Sequence, residues 1–452
     1  MADSGASPQG RPVGAAGSRR PGWAAGAVVA AFVAVSAGCA PPTGPAAPTG
    51  LSAAGRTGQV VLDWDDGPST ATAYRVARAS SANGTYTSLT AEPVTVSRYH
   101  DTAAPVGVHS YYRVVAVTSD GAASAPATAS ATAVGSSFGW TSSAPSSSGH
   151  YEGAGIAVGD RVLVFGGYYN DAVQATTAVQ AYDTRSGQWT DLAPLPQPLS
   201  HQAVAVDGGR VWLLGGYVGD HPGPSTDAVW LYDTTTDTYQ PGPSLPAPRG
   251  AGTAAIVGRT LHFLGGATRT AGLLDDTDQP EHWVLDLDAA VVGAGSTGDP
   301  AGGATWQARL PLPTPRNHLG SAVVDGRIYV VGGQHGHYEA DDQEQTVEVY
   351  DAGAEMWTPV AGLPVGRGHV MWSVVTYQGH VIVAGGMTDG PVTSALVHAY
   401  DPLTNVWVRL ANLPKPRKSP VMRVVGDRFV VSQGATSVPQ RETWTGRLSV
   451  TW

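Results

Sequence analysis

Short apolar runs broken by turn residues fill the chain from Pro48 to its C-terminus. As far as Val134 these runs alternate with a period of two, as in Val60-Val61-Leu62-Asp63-Trp64, Ala73-Tyr74-Arg75-Val76-Ala77 and Tyr111-Tyr112-Arg113-Val114-Val115-Ala116-Val117. Asn83-Gly84 and Asp120-Gly121 supply turns between them. Such alternation, with a Trp in an early strand, predicts a β-sandwich of about ninety residues. Further on, apolar strands run into glycine pairs at Gly166-Gly167, Gly215-Gly216, Gly265-Gly266, Gly332-Gly333 and Gly385-Gly386, with a degenerate sixth at Gln433-Gly434. Repeated glycine pairs at strand ends imply close backbone approach or positive φ.

The intervals between successive pairs are 49, 50, 67, 53 and 48 residues. After each pair comes a loop, then an apolar strand ending at Tyr182-Asp183, Tyr232-Asp233, Tyr350-Asp351 or Tyr400-Asp401. Seven places after each Tyr stands Trp189, Tyr239, Trp357 or Trp407, and Leu195-Pro196, Leu245-Pro246, Leu363-Pro364 and Leu413-Pro414 close the units. This resembles the kelch motif, whose period near 50 exceeds that of WD40 blades. The resemblance implies a β-propeller over 138–452. Those 315 residues give about 52 per blade for six blades and 45 for seven, so six is expected. The third unit departs, with Leu285-Asp286 for Tyr-Asp and an insertion whose Ala289–Gly303 stretch reads as a loop. Phe138-Gly139-Trp140, followed by Ala144-Pro145, looks like an orphan outer strand, expected to complete the last blade and close the ring.

The N-terminus reads as an address. Arg11, Arg19 and Arg20 precede an uncharged run from Trp23 to Gly38, the pattern of an export signal over 1–38. Its end, Val35-Ser36-Ala37-Gly38-Cys39, resembles a bacterial lipobox, with Ser36 where Leu or Val is usual. The resemblance implies lipidation at Cys39 and a protein held at the outer face of the cytoplasmic membrane; cleavage after Ala37 would instead release a secreted protein. Ser18-Arg19-Arg20 leaves Sec and twin-arginine export both open. Residues 39–47 form a Pro-rich tether. Over 48–134, Pro48-x-x-Leu51, Trp64, Tyr74-Arg75-Val76, Ser97-Arg98-Tyr99-x-Asp101 and Tyr112-Arg113-Val114-x-Ala116-Val117 resemble a fibronectin type III domain, with Ser110 where a corner Tyr is expected. The expected fold class is therefore all-β: a fibronectin type III sandwich followed by a six-bladed kelch propeller.

Composition narrows the function. Gly (58) and Pro (34) make up about a fifth of 452 residues, which disfavours long helices. Without residues 1–38 the net charge moves from −10 to −12, so nucleic acid is excluded as a partner and membrane contact falls to the anchor alone. Cys39 is the single cysteine, which rules out an intramolecular disulfide. It also rules out the Cys–Tyr copper centre of galactose oxidase, a kelch enzyme this chain resembles in its blades. No sialidase box, Gly-x-Ser-x-Gly elbow, His-Glu-x-x-His or phosphate loop occurs.

In kelch propellers the loops after the diglycines and those leading into each innermost strand share one face. The resemblance puts Arg249, Arg316, Arg367 and Arg417 there, with His201, His318 and His369, and His150 at the equivalent first position. A ring of Arg above an axial funnel would hold a carboxylate or sugar acid; the general kelch pattern equally uses such residues for packing. His335-Gly336-His337, with Glu339, Asp341, Asp342 and Glu344 nearby, and Asp275-Asp276-Thr277-Asp278 are polar loops of metal-ligand type, each equally readable as exposed acidic surface. No metal and no cofactor is called. The leading reading is a monomeric, surface-anchored interaction protein binding an extracellular glycan or protein through one propeller face. The alternative is a carbohydrate-active enzyme, a glycosidase or a mutarotase-like sugar isomerase, for which Glu339 and Asp275 would be candidate carboxylates.

Overall fold

A computed structural model describes residues 44–66, 73–292, 304–337 and 343–452. Cys39, the export signal, the start of the tether and the acidic residues Glu339, Asp341 and Asp342 lie outside the described residues. Apart from one short helix, Leu287–Val292, the described elements are β-strands. Among the described residues no helix is long and apolar enough to cross a membrane.

The first unit packs a three-stranded sheet (Ser52–Arg56, Gln59–Asp63, Arg98–Asp101) on a four-stranded one (Ala73–Ala79, Thr87–Ser88, His109–Val117, Ala127–Thr132). Val60, Leu62, Trp64, Tyr74, Val76, Tyr112 and Val114 fill the space between them. Ser110 is buried, and so, two residues on, is Tyr112. Its hydroxyl donates to Asp101 Oδ2 at 2.9 Å, the carboxylate that also receives Arg78 at 2.7 Å.

Six four-stranded antiparallel sheets follow. Their innermost strands are Ala154–Val158, Ala203–Asp207, Thr253–Val257, Gly320–Val324, Val374–Tyr377 and Val421–Val425, and each touches the next around a closed ring. The second strands, such as Arg161–Phe165 and Arg327–Val331, are apolar almost end to end because a neighbouring blade covers each of their faces. Outer strands such as Gln188–Leu192 return to the half-exposed alternation of a surface. The last blade takes its outer strand, Thr141–Ser143, from the N-terminal side and pairs it with Thr443–Arg447. Buried Phe138 anchors that strand by stacking on Trp140 and meeting Phe429 edge-on.

Each outer aromatic ties its blade to the one before. The indole N–H of Trp189, Trp306, Trp357 and Trp407 donates to the carbonyl of Ala144, Pro243, Leu310 and Ala361, and the hydroxyl of Tyr239 donates to that of Ala193. The irregular third blade keeps this bond through Trp306. It also keeps the turn carboxylate, since Asp286 Oδ1 accepts from the backbone N–H of Asp288 and Ala289. That bond caps the helix Leu287–Val292, which replaces a loop at the start of the insertion.

Candidate functional site

The diglycines set the register of the propeller's central face. In every blade the second residue of the pair donates its N–H to a carbonyl of the next blade: Gly167 to Leu199, Gly216 to Arg249, Gly266 to Arg316, Gly333 to Arg367, Gly386 to Arg417 and Gly434 to His150. His150 is thus the equivalent of the arginines and not of His201, which corrects the sequence alignment of the first blade. Two residues after each clip the chain turns left-handed, at Glu152, His201, Ala251, His318, His369 and Ser419, with φ between 49° and 58°. A left-handed backbone is uncommon for residues with a side chain, and six around one axis mark a built feature. Neighbours are joined through the backbone: His201 N–H to Glu152 O, Ala251 to His201, His318 to Ala251 and Ser419 to His369, at 2.9–3.0 Å.

The expected arginine rim does not form. Arg249, Arg316, Arg367 and Arg417 are 0–3% exposed, with their guanidinium groups inside the blades. Arg316 meets Glu348 at 2.5 Å and donates to the carbonyls of Thr314 and Gly332. Arg367 donates to Leu396 O at 2.9 Å and lies against His398 Nδ1. Arg249 and Arg417 lie over the rings of Trp283 and Trp444 and pair with Glu281 and Glu442. Trp283, Glu348, His398 and Trp444 each stand second in their blade's third strand. Each arginine therefore braces its own blade, although Nε of Arg249 and Arg367 and both Nε and Nη1 of Arg417 are buried without a hydrogen-bond partner.

The histidines do converge. Glu152, which the sequence reading left out, sits among them with 2% exposure. His369 Nδ1 lies 2.7 Å from Glu152 Oε1, Ser419 Oγ donates to the same oxygen, and His201 Nε2 is 3.5 Å from Oε2. The rings of His201 and His318 are 4.9 Å apart, and those of His318 and His369 are 4.1 Å apart. The nearby imidazoles and hydrogen bonds hold the Glu152 carboxyl well below the usual carboxylate range, against the opposing effect of burial. Burial drives His201 down to about 3 and His318 well below its ordinary value. Glu152, His201 and His318 each offer one ligand atom, all within 4.8 Å of one another. They are the one group among the described residues that could hold a metal.

The two polar loops meet above this ring and consume each other. Asp276 takes both Arg269 Nε (2.6 Å) and Nη2 (2.7 Å), and His337 Nδ1 at 2.8 Å. Asp278 receives His335 Nδ1 at 3.1 Å, whose Nε2 reaches Glu344 at 2.8 Å. Asp275 stays in its exposed loop and accepts from Thr270 N–H. A cavity of about 20 Å³ remains between the loops and the ring, lined by Glu152, His201, His318, His369, Tyr168 and Arg269. On the opposite side of the inner strands lies a larger cavity of about 250 Å³, lined by Thr253, Ser321, Trp372 and Arg423 among others. Burial lowers Arg423 there to about 9, and it remains a cation at neutral pH.

The comparisons with known proteins agree with this architecture. The kelch motif matches residues 152–196, 198–246, 315–364 and 373–414, the four regular blades. Kelch-like protein terF of Aspergillus terreus is 30% identical over 306 residues, covering 65% of this chain and 61% of that protein. Kelch-like protein 23 of Homo sapiens is 24% identical over 263 residues (58% and 42%), and Beta-scruin of Limulus polyphemus 25% over 227 (49% and 22%). The chain thus spans less than two thirds of each of these relatives. Sequence and structure together define a kelch-repeat β-propeller. The third and sixth blades, outside the matched residues, complete it.

Proposed function

We propose that this chain is an exported interaction protein, lipid-anchored at Cys39, whose propeller holds a protein partner on the face formed by the post-diglycine loops. The observation that carries this reading is the placement of exposed apolar side chains. Tyr169, Leu273 with Leu274, Val392 and Val438 stand on four of the six post-diglycine loops, each 46–57% exposed. Apolar tips around a polar centre suit a protein surface, where a buried apolar core with a polar rim supplies affinity. Kelch-repeat relatives, among them the kelch-like proteins, support an interaction module. The sandwich, read as a fibronectin type III spacer, and the Pro-rich tether would lift the propeller off the membrane. Glycan recognition is less favoured, because the arginines that would grip a sugar acid are buried within the blades.

A glycosidase needs two carboxyl groups, one of them protonated as general acid. The candidates near the axis, Glu152 and Asp276, are both held below the usual carboxylate range, Asp276 by His337 and Arg269 against the cost of burial. Neither is poised to donate a proton near neutral pH.

The test is proximity cross-linking on native cells with the full chain and with a Leu273→Ser/Leu274→Ser/Tyr169→Ala variant, and a Val106→Ser/Val108→Ser sandwich variant as control. Loss of the same cross-linked proteins in the loop variant alone supports the reading. Equal capture by all three, or specific binding of wild type on a glycan array, rejects it. Mass spectrometry of the native protein decides the anchor, since an unmodified Cys39 thiol removes it.

A further inference from the structure

Glu152 Oε2 is buried and has no hydrogen-bond donor. An orphaned carboxylate oxygen is costly, and a bound ion is one of the few things that explains it. The atoms around it are already arranged for a ligand. His318 Nδ1 faces Asn317 Oδ1, an oxygen that only accepts, which places the proton on Nδ1 and the lone pair on Nε2. Ser200 Oγ lies 2.9 Å from His201 Nδ1 and is able to accept from it, while Nε2 is turned toward Glu152. His369 and Ser419 grip Glu152 by its other oxygen, Oε1. Each of the three residues is thus held on one side and presents one atom on the other, the division of labour seen where imidazole and carboxylate bind metal.

We propose that Glu152, His201 and His318 bind one divalent transition-metal ion on the propeller axis, with Asn317, Ser200 and His369 as positioning residues. Two imidazoles and a carboxylate suit zinc or a neighbouring first-row ion at about 2.0–2.2 Å. Ligand atoms around a tetrahedral ion at that distance lie about 3.4 Å apart. The present spread of up to 4.8 Å therefore needs the trio to close by roughly 1.4 Å as the ion binds. The adjoining 20 Å³ is room for the ion or for one water on its open side. The nearby Arg269 is no obstacle, because Asp276 neutralises it in a two-bond pair. The site is independent of the partner-binding loops, so it stands or falls apart from the proposed function.

The experiment strips the full chain with a chelator, adds Zn²⁺, removes free metal by gel filtration and counts bound zinc by elemental mass spectrometry. One zinc per chain is expected for the wild type. Zinc should be lost in Glu152→Gln and His318→Asn, and affinity should fall about 10–100-fold in Asn317→Ala. His335→Asn, in the outer loop, should keep wild-type loading. Zinc-free wild type, or equal loading of wild type and the His318→Asn variant, overturns the site. Should a ligand variant fail to fold, Co²⁺ in the wild type decides. Intense visible bands of a four- or five-coordinate ion support the site, and the weak spectrum of hydrated Co²⁺ refutes it.

Discussion

At the scale of single residues, the same arginines and histidines have opposite fates. The sequence shows both in one short segment of the repeat but not where each side chain goes. The arginines sit at the clip and point into the blade, whereas the histidines stand two residues later, at the left-handed position, and point to the axis. Glu152 was illegible for the same reason: its blade carries His150 at the clip, which draws the alignment two residues off. Arg316 gives the sharpest test. Arg316→Ala would leave Glu348 buried without its cation, so about 3–5 kcal/mol of stability should disappear in denaturant unfolding. The double change Arg316→Met/Glu348→Leu should cost far less, whereas a ligand-binding role would leave stability untouched in both. A second residue-scale prediction concerns His262 and His282, 2.8 Å apart and buried. Burial lowers them to about 4 and about 3, so between pH 6.5 and 4 the unfolded chain binds protons that the folded one refuses. Their contribution is complete above about pH 6.5 and is lost on acidification. It should fall by up to about 1.4 kcal/mol per pH unit for each ring. Unfolding midpoints at pH 7 and pH 5 should therefore diverge less in a His262→Gln/His282→Gln variant, and an unchanged slope would refute the assignment.

At the scale of elements, the chain was easiest to read where a backbone constraint forces one residue type. The second glycine of each pair adopts a φ between 77° and 114°. A Cβ on Gly333 would fall 2.7 Å from Asn317 O, and one on Gly216 2.6 Å from Ser200 O. Strands that end against a neighbour's carbonyl thus need glycine, and that need is visible as a period. The third blade was legible only as a departure from the pattern. Its Tyr is replaced by Leu285, yet Asp286 and Trp306 keep the turn and the inter-blade bond. Gly333→Ala combines strain with a clash and should lower stability by about 2–4 kcal/mol, read as the midpoint of thermal unfolding. Gly258→Ala, at φ 59° with nothing within 4 Å of the added carbon, should cost only about 1 kcal/mol. Equal losses at the two positions would mean that close backbone approach within the blade is not what preserves the pair.

At the scale of the molecule, blade number and closure were both legible, because the interval arithmetic and the orphan Phe138–Trp140 segment point to the same ring. The docking of the sandwich was not, since it depends on single backbone contacts. Thr57 donates its N–H to Thr451 O at 2.9 Å and accepts from Thr451 N–H at its hydroxyl, while Gly58 packs against Arg409. Ser137 and Ser449 exchange backbone bonds just before the closing strand. The sandwich therefore holds the end of the last blade at Thr451 and, through Gly58 N–H to Val134 O, the chain that leads into the closing strand. Two deletions separate the contributions. Removing the sandwich but starting at Ser136 keeps Thr141–Ser143 and should leave a folded monomer, with a thermal midpoint a few degrees lower. Starting instead at Ala144 exposes the edge of Thr443–Arg447 and uncovers Phe429 where Phe138 had packed against it. An open apolar edge recruits other chains, so this variant should aggregate in light scattering and lose much more stability. If both truncations behave alike, the ring is held by the six contacts between its innermost strands, and the closing strand is only a cover.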